Sequence, residues 1–223
     1  MEKHVLKIKA VESVTHDVLQ IVTEKPTQIS FMPGQAAELS INKKGWENEK
    51  RPFTFTSLPI DNFLEFIIKT YPDHDGVTNE LRKIKPGDEL ILHDVFGAIE
   101  YNGEGLFIAG GAGVTPFISI FRNLQLENGI RNNKLIFANK TSDDIILKEE
   151  FEEKLGKNFF NILSDEKTTE YAYGFIDEEF LNSHIDEFSQ HFYLCGPPPM
   201  MKSVERQLEN MGVAKKAIIT EEF

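Results

Sequence analysis

The chain has 223 residues, of which 36 are acidic and 24 basic, giving a formal net charge of −12 at pH 7. This balance argues against nucleic-acid binding, which needs a basic surface. The single cysteine excludes an internal disulfide and an iron–sulfur cluster held by this chain alone. No apolar stretch approaches membrane-spanning length and no signal peptide is evident, so we expect a cytoplasmic protein without a membrane span.

The sequence pattern of residues 1–102 predicts short strands separated by turns. Strands are expected at residues 5–11, 18–24, 36–41, 63–69 and 89–93. Pro33-Gly34, Asp61-Asn62 and Pro86-Gly87-Asp88 supply turn signals between them. Only one short helix is expected in this half, at residues 78–84. The pattern is typical of an antiparallel β-barrel.

One strand of this half has the sequence Arg51-Pro52-Phe53-Thr54-Phe55-Thr56-Ser57. Aromatic and hydroxyl residues alternate along it, which predicts a strand with one face in water. That face would carry Arg51, Thr54 and Thr56. Taken alone, the run is also compatible with an ordinary barrel strand.

From residue 103 onward, the pattern alternates between strand and helix. Strands are expected at 106–109, 135–138, 159–163, 192–195 and 217–220, and helices at 115–126, 147–155, 178–184 and 200–211. This alternation predicts a parallel α/β sheet with crossover helices. We therefore predict two domains, residues 1–102 and 103–223, joined by the glycine-rich segment 101–105.

Two turns in the second half are candidates for ligand binding. In the first, an apolar strand enters Gly110-Gly111-Ala112-Gly113-Val114-Thr115-Pro116 and leaves as a helix. Glycines let the backbone approach a pyrophosphate, and the N–H groups at the start of a helix can bind its charge. The spacing is similar to a dinucleotide fingerprint, but Pro116 stands at its third small-residue position.

The second turn is Tyr193-Leu194-Cys195-Gly196-Pro197-Pro198-Pro199-Met200. An apolar strand ends at Cys195-Gly196, and a helical pattern follows. Ligands of open α/β sheets bind at the carboxyl ends of strands, so these two residues lie where a cofactor would pass. A tight turn with a buried thiol is the alternative explanation.

Taken in order, these motifs resemble the ferredoxin–NADP reductase superfamily. Arg51, Phe53 and Thr54 match its flavin signature, Gly111 to Pro116 match its nicotinamide-side glycine turn, and Cys195-Gly196-Pro197-Pro198 match its Cys-Gly-Pro-Pro element. Glu221-Glu222-Phe223 match its closing glutamate and aromatic residue. Gly76-Val77-Thr78 and Pro86-Gly87-Asp88 are lesser matches. The resemblance extends from Pro33 to Phe223.

The resemblance implies an FAD site in the first domain. Arg51 would pair with the flavin diphosphate, which a planar guanidinium suits. Thr54 would bond near the reactive flavin nitrogen, and Phe53 would lie along the flavin. The remaining residues expected to contact FAD are Pro52, Ile68, Lys69, Gly76, Val77 and Thr78, although Lys69 is better explained as a solvated strand-end residue.

The resemblance also implies a nicotinamide site in the second domain. Thr115 and Cys195 would flank the nicotinamide, and Glu221 would orient its amide or the cysteine; Thr54, Cys195 and Glu221 are thus the catalytic candidates. The closing Phe223 would cover the flavin. Other expected contacts of the dinucleotide are Gly111, Gly113, Pro116, Gly196 and Pro197. The six histidines have no metal-ligand spacing, so no metal site is predicted.

The loop after the strand at 159–163 bears on the choice between NADH and NADPH. It contains Ser164-Asp165-Glu166, whose carboxylates would repel a ribose phosphate, and Asp165 could accept hydrogen bonds from free ribose hydroxyls. Lys140, after the preceding strand, is the opposing candidate, because an ammonium group can bind a phosphate. The sequence favours NADH.

The expected activity is transfer of a hydride from NADH or NADPH to FAD, followed by electron delivery to a separate carrier such as flavodoxin or ferredoxin. Such carriers are acidic and dock on basic patches. The first half of this chain gathers eight candidates for one: Lys43, Lys44, Lys50, Arg51, Lys69, Arg82, Lys83 and Lys85. A free-flavin or ferric-chelate reductase, and an electron-transfer subunit of a larger complex, are the alternatives.

Overall fold

The computed structural model describes residues 3–97, 99–127 and 129–220, which form twelve strands and five α-helices. The strands are β1 (His4–Ser13), β2 (Val18–Glu24), β3 (Ala36–Ile41), β4 (Arg51–Thr54), β5 (Phe63–Lys69), β6 (Glu89–Phe96), β7 (Gly105–Gly110), β8 (Lys134–Asn139), β9 (Phe159–Leu163), β10 (Ala172–Tyr173), β11 (His191–Cys195) and β12 (Ile218–Thr220). The helices are α1 (Val77–Glu80), α2 (Thr115–Glu127), α3 (Lys148–Leu155), α4 (Glu178–His184) and α5 (Pro198–Asn210).

The first six strands form one antiparallel sheet in the order β4-β3-β6-β1-β2-β5. The chain after β4 then bends back against β5, where the Thr56 N–H donates to the Glu65 carbonyl over 2.9 Å. This contact joins the two edges of the sheet. Apolar side chains from every one of its strands, among them Leu6, Leu64 and Leu92, fill the enclosed core. The predicted antiparallel barrel is confirmed.

The other six strands form a parallel sheet in the order β10-β9-β8-β7-β11-β12. Its two faces bury separate apolar clusters. One cluster packs α4 and α5 against the sheet, through residues such as Leu181, Val204 and Leu208. The other packs α2 and α3, and it also includes Val18 and Ile67 of the barrel. The predicted parallel α/β sheet is confirmed, and apolar packing joins it to the barrel.

Most predicted elements lie within one or two residues of their observed limits, and three differences stand out. The helix expected at residue 200 begins at Pro198, because proline lacks an N–H and is favoured in the first helical turn. The short helix near residue 78 divides into α1 and a 3₁₀ turn at Leu81–Lys83. The two-residue strand β10 was not predicted, since two residues carry no periodic signal.

The segment joining the two sheets is held by a buried tyrosine of β11. The Tyr193 hydroxyl donates to the Gly103 carbonyl and accepts from the Asn102 N–H, both over 2.8 Å. Its ring stacks on Phe107, with 4.2 Å between centroids, and on Tyr101 at 5.9 Å. Burial of the hydroxyl raises the pKa of Tyr193 to about 12. The segment therefore has a fixed path over the sheet.

This raised pKa predicts a loss of stability at high pH. An unfolded tyrosine ionises near pH 10, whereas folded Tyr193 keeps its proton to about pH 12. The free energy of unfolding should be constant below about pH 10 and fall as pH rises toward 12. Urea unfolding between pH 8 and 12 checks this. Tyr193→Phe should flatten the decline, whereas Tyr173→Phe, with 54 % of the residue exposed, should leave it unchanged.

Candidate active site

The two glycine-containing turns meet at the carboxyl edge of the parallel sheet. Strands β7 and β11 are neighbours in register, with Ala109 opposite Cys195. The chain passes from β7 outward to β8, β9 and β10 and then returns to β11 on the other side of β7. A reversal of strand order of this kind opens a crevice at the carboxyl ends of the strands, where ligands of open α/β sheets bind.

The backbones of the two turns are in direct contact. A Cβ on Gly113 would overlap the carbonyl group of Cys195 and the Cα of Gly196. A Cβ on Gly196 would lie 3.0 Å from the Gly110 nitrogen. In contrast, Gly111 has φ +51° and open space around it. Gly113 and Gly196 therefore permit the close packing of the two turns. Gly111 leaves room for a ligand to approach the protein backbone.

Helix α2 carries the glycine turn against the barrel. Thr115, its first residue, donates from Oγ1 to the Ala112 carbonyl over 3.0 Å and lies 3.4 Å from the hydroxyl of Thr54 on β4. Pro116 follows in the first turn of α2, where its missing N–H costs no hydrogen bond. Cys195, which is buried, is the last residue of β11, the strand that neighbours β7. The predicted flavin-side and nicotinamide-side threonines are thus in contact.

The prediction that Thr54 and Thr56 face water is wrong. Thr54 is 8 % exposed and Thr56 is fully buried. The Thr56 hydroxyl donates to Glu65 over 2.8 Å, and its carbonyl accepts from Arg122 of α2. The second domain covers this face, so alternation within the run could not show that it is buried. Only Arg51 and Pro52 are exposed.

The residues predicted to hold the flavin diphosphate offer hydrogen-bond donors that could bind an anion. Arg51 bonds only to the carbonyl of Lys50, over 2.6 Å, and has no carboxylate within ion-pair distance among the residues described. Gly76 precedes α1 in an extended conformation, and a Cβ there would meet nothing within 4 Å. The first N–H groups of a helix, here from Val77 and Thr78, lack partners within it. A guanidinium and open backbone donors suit an anionic group.

Two further predicted flavin contacts have structural roles in the barrel. Ile68 is 1 % exposed and shares a crevice, too narrow for a water molecule, with Phe53 and Val77. The Lys69 ammonium lies 2.6 Å from Asp17. Although burial opposes ionisation of Asp17, Lys69 holds the pKa of this carboxyl below its usual value. The predicted contacts of Ile68 and Lys69 with FAD stay predictions.

Asp17 also belongs to a cluster that the sequence did not indicate. Ligand-type atoms of His16, Asp17 and Asp144 lie within 4.8 Å of one another. The residues come from different domains, so no sequence spacing could have shown the cluster. Lys69 already provides the counter-charge for Asp17, and the contact between the domains is that of His16 Nε2 with Asp144, at 4.0 Å.

The two loops relevant to nicotinamide choice are neighbours. The Asp165 N–H donates to the Lys140 carbonyl over 2.9 Å, and the Ser164 hydroxyl donates to the Asp165 carboxylate over 2.6 Å. Glu166 turns away and accepts from the Ser142 N–H, which lowers the pKa of its carboxyl. Both Asp165 and Lys140 are exposed, so either could meet the ribose end of a dinucleotide bound across this edge.

An exposed aromatic residue next to this loop was missed by the sequence analysis. Phe175 is 82 % exposed, and the N–H of the preceding Gly174 donates to the Leu163 carbonyl at the end of β9. Phe175 therefore follows β10 at the same end of the sheet at which Ser164 follows β9. A phenylalanine outside any regular element is a weak signal in sequence, since only the pairing of β10 with β9 brings it to this edge.

Glu221 and Phe223, predicted to orient the nicotinamide and to cover the flavin, lie outside the described residues. The last described strand, β12, nevertheless pairs with β11, so that Thr220 lies opposite Leu194 next to Cys195.

Comparison with known proteins agrees with this arrangement. A family described as FAD-binding domain matches residues 3–89, and one described as oxidoreductase NAD-binding domain matches residues 107–206. NADH–cytochrome b5 reductase 1 of Arabidopsis thaliana is 31 % identical over 89 % of this chain and 76 % of its own length. The chain belongs to the ferredoxin–NADP reductase superfamily. It is an FAD-dependent NAD(P)H oxidoreductase.

Solved structures show the same two-domain fold. The FAD- and NAD-binding domain of a nitric oxide dioxygenase from Vibrio cholerae aligns with a TM-score of 0.87, covering 98 % of both chains at 21 % identity. A ferredoxin–NADP⁺ reductase from Neisseria gonorrhoeae, with bound FAD and NADP, aligns with a TM-score of 0.83 at 19 % identity, covering 95 % of this chain and 92 % of its own. Among the residues described here, no helix is long and apolar enough to cross a bilayer.

Proposed function

We propose that this oxidoreductase takes a hydride from NADH and delivers electrons to a small haem carrier of the cytochrome b5 type. The observation that carries this proposal is the 31 % identity, over 89 % of the chain, to an NADH–cytochrome b5 reductase. A fungal relative from Aspergillus terreus with the same name is 29 % identical over 96 % of the chain. The predicted carriers, flavodoxin and ferredoxin, receive no comparable support.

The charges of the barrel also weaken the case for an extended basic docking patch. Four of the eight cations gathered in the first half are engaged by carboxylates of the same domain. Lys43 and Lys83 pair with Glu80, Lys50 with Glu38 and Lys69 with Asp17. Of the remaining four, Arg51 would be neutralised by the flavin diphosphate, so docking through steered charge depends on Lys44, Arg82 and Lys85.

The chain's residues position the reaction and exclude water from it. Bound FAD would supply the hydride-accepting and one-electron-releasing chemistry. Arg51 and the backbone donors at Gly76 and Val77 would hold the diphosphate, while the buried Thr54 hydroxyl would face the reactive edge of the flavin. Thr115 and Cys195 would hold the nicotinamide in the crevice between β7 and β11. Such positioning accounts for a large part of the rate of a hydride transfer.

Steady-state reduction of candidate acceptors tests the proposal. With NADH as donor, the haem domain of a cytochrome b5 should be reduced with a kcat/KM at least about tenfold above those of flavodoxin, ferredoxin and free FMN, a preference of about 1.4 kcal/mol. Equal or better reduction of flavodoxin or ferredoxin would overturn the carrier assignment. A chain that loses its FAD on gel filtration yet reduces added FMN would instead be a free-flavin reductase.

A second expectation concerns the choice of nicotinamide. Asp165 would accept hydrogen bonds from the free ribose hydroxyls, and the exposed ring of Phe175, at the same end of the sheet, suits stacking on the adenine. Losing a hydrogen bond to the ribose phosphate of NADPH changes the free energy of nucleotide binding by about 1.5–3 kcal/mol. We therefore expect kcat/KM to favour NADH over NADPH by roughly tenfold or more.

Substitutions in the two neighbouring loops distinguish a specific contact of Asp165 with the ribose from a general effect of negative charge. Asp165→Ser should reduce the preference for NADH severalfold by admitting the ribose phosphate. Asp143→Ser removes an exposed carboxylate in the neighbouring loop and should leave the preference unchanged. A clear preference of the unmodified protein for NADPH would contradict the role of Asp165 and point to Lys140.

A further inference from the structure

One face of α2 is bonded to the FAD barrel at three successive positions. Thr115, Ser119 and Arg122 follow the i, i+4, i+7 spacing that places side chains on one side of a helix. Thr115 lies 3.4 Å from Thr54, and the Ser119 hydroxyl accepts from the Gly34 N–H over 2.9 Å. Nη1 of Arg122 donates to the Thr56 carbonyl over 2.8 Å. The helix that begins at the nicotinamide crevice thus lies directly on the flavin domain.

Arg122 provides the strongest of these connections. Its Nη1 donates to Glu65 of the barrel over 2.6 Å. Its Nε and Nη2 donate to the two carboxylate oxygens of Glu150 on α3, each over 2.7 Å. Burial disfavours the charged guanidinium, but the two carboxylates hold the pKa of Arg122 above its ordinary value. One side chain therefore joins α2, α3 and the barrel.

Glu65 is built to receive this arginine. It is 6 % exposed, and its carboxylate accepts from the Thr56 hydroxyl over 2.8 Å and from the Gln20 amide over 2.6 Å, besides Arg122. Without Arg122 the carboxylate would be a buried charge with no cation, which is strongly unfavourable. The barrel thus contains a carboxylate that is complete only when the second domain is docked on it.

The contact between the two site threonines is too weak to align the domains. At 3.4 Å, the Thr115–Thr54 distance exceeds the usual range for hydrogen bonds between hydroxyl groups. The bonds of Arg122 lie at 2.6–2.8 Å, two turns further along the same helix. Charge-assisted bonds of this length are about twice as strong as neutral ones. Relative placement of the two cofactor sites depends on them.

We propose that Arg122 is a positioning residue for hydride transfer, which fixes the nicotinamide domain on the flavin barrel through Glu65 and Glu150. Arg122 does not line the crevice at the end of β7 and β11, so it acts on the distance between the two cofactors and not on the affinity for either. A misplacement of about 1 Å at the reacting atoms can slow such a step about a hundredfold.

Rapid-mixing measurement of flavin reduction by NADH tests this role. Arg122→Lys keeps a positive charge but loses the paired bonds to Glu150, and it should slow hydride transfer about tenfold. The dissociation constant of FAD and the KM for NADH should stay within about twofold of the unmodified protein. Arg206→Gln, an exposed arginine on α5, is the control and should leave the rate unchanged.

A measurement without bound cofactors gives an independent readout. In the apoprotein, Arg122→Lys should increase amide hydrogen exchange at residues 54–58 and 115–122 severalfold, while β1 and β2 exchange as before. This pattern distinguishes a loosened interface from general destabilisation. Unchanged exchange there, together with an unchanged rate of flavin reduction, would overturn the proposal.

The double variant Glu65→Gln/Arg122→Gln keeps the proposal testable if the Arg122→Lys chain does not fold. It removes the charges of Glu65 and Arg122 together, while the partly exposed Glu150 keeps the Lys154 ammonium 3.9 Å away. The double variant should fold and bind FAD and still reduce its flavin about tenfold more slowly or worse. A double variant with the unmodified rate would show that the ion pair serves stability alone.

Discussion

Replacing Gly113 by alanine is expected to slow hydride transfer by about a hundredfold, with FAD still bound. The added methyl group would overlap the carbonyl group of Cys195 and the Cα of Gly196. Because both neighbours are backbone, the ends of β7 and β11 must separate, and the crevice between them changes shape. Overpacking of this kind also costs about 1–3 kcal/mol of stability.

The matched control is Gly97→Ala. Gly97 also has an ordinary φ, but a Cβ there meets nothing within 4 Å. Its substitution should leave both the rate of flavin reduction and the unfolding midpoint nearly unchanged. If Gly113→Ala reduces its flavin at the unmodified rate, the contact between the two turns is not needed for nicotinamide placement.

The second large effect is expected at Arg51. If its guanidinium pairs with the flavin diphosphate, Arg51→Ala removes a charge-assisted bond of about 1.5–3 kcal/mol. The affinity for FAD should then fall about ten- to a hundredfold. Fluorescence titration of the apoprotein with FAD measures this directly. Little effect on the folded apoprotein is expected, because Arg51 is exposed and, within the described part of the chain, bonds only to the carbonyl of Lys50.

A comparison with Arg82→Ala isolates the site. Arg82 is an exposed arginine of the same domain, in the 3₁₀ turn that follows α1. Its substitution removes the same charge but should leave the affinity for FAD within about twofold. An unchanged dissociation constant in Arg51→Ala would remove Arg51 from the flavin site.

Local patterns in the chain determined most elements and the order of the motifs. Strands β2, β3, β5 and β9 have the predicted limits, because apolar periodicity and flanking turn residues are encoded within each segment. The glycines at positions 111 and 113 and the Cys195-Gly196 pair also stand out locally, since strand ends with small residues are visible in sequence. The resemblance built on them led to the correct superfamily.

The sequence analysis failed where a residue's surroundings come from distant segments. Thr54 and Thr56 were predicted to face water, yet Arg122, 66 positions beyond Thr56 in the chain, helps to cover them. The sequence also contained no sign that the Lys69 ammonium lies against Asp17, on the turn between β1 and β2. Alternation along a strand shows which side chains share a face, but it cannot show what packs on that face.

The sequence by itself therefore determined the two-domain fold, because local periodicity encodes its strands and helices, and its motifs carried the resemblance that led to the superfamily. Only the tertiary structure decided that Arg122 joins Glu65 to Glu150 and that the turns at Gly113 and Cys195 touch. Both contacts arise when sheet order places separate segments side by side, and a charged or small residue shows its partner only then.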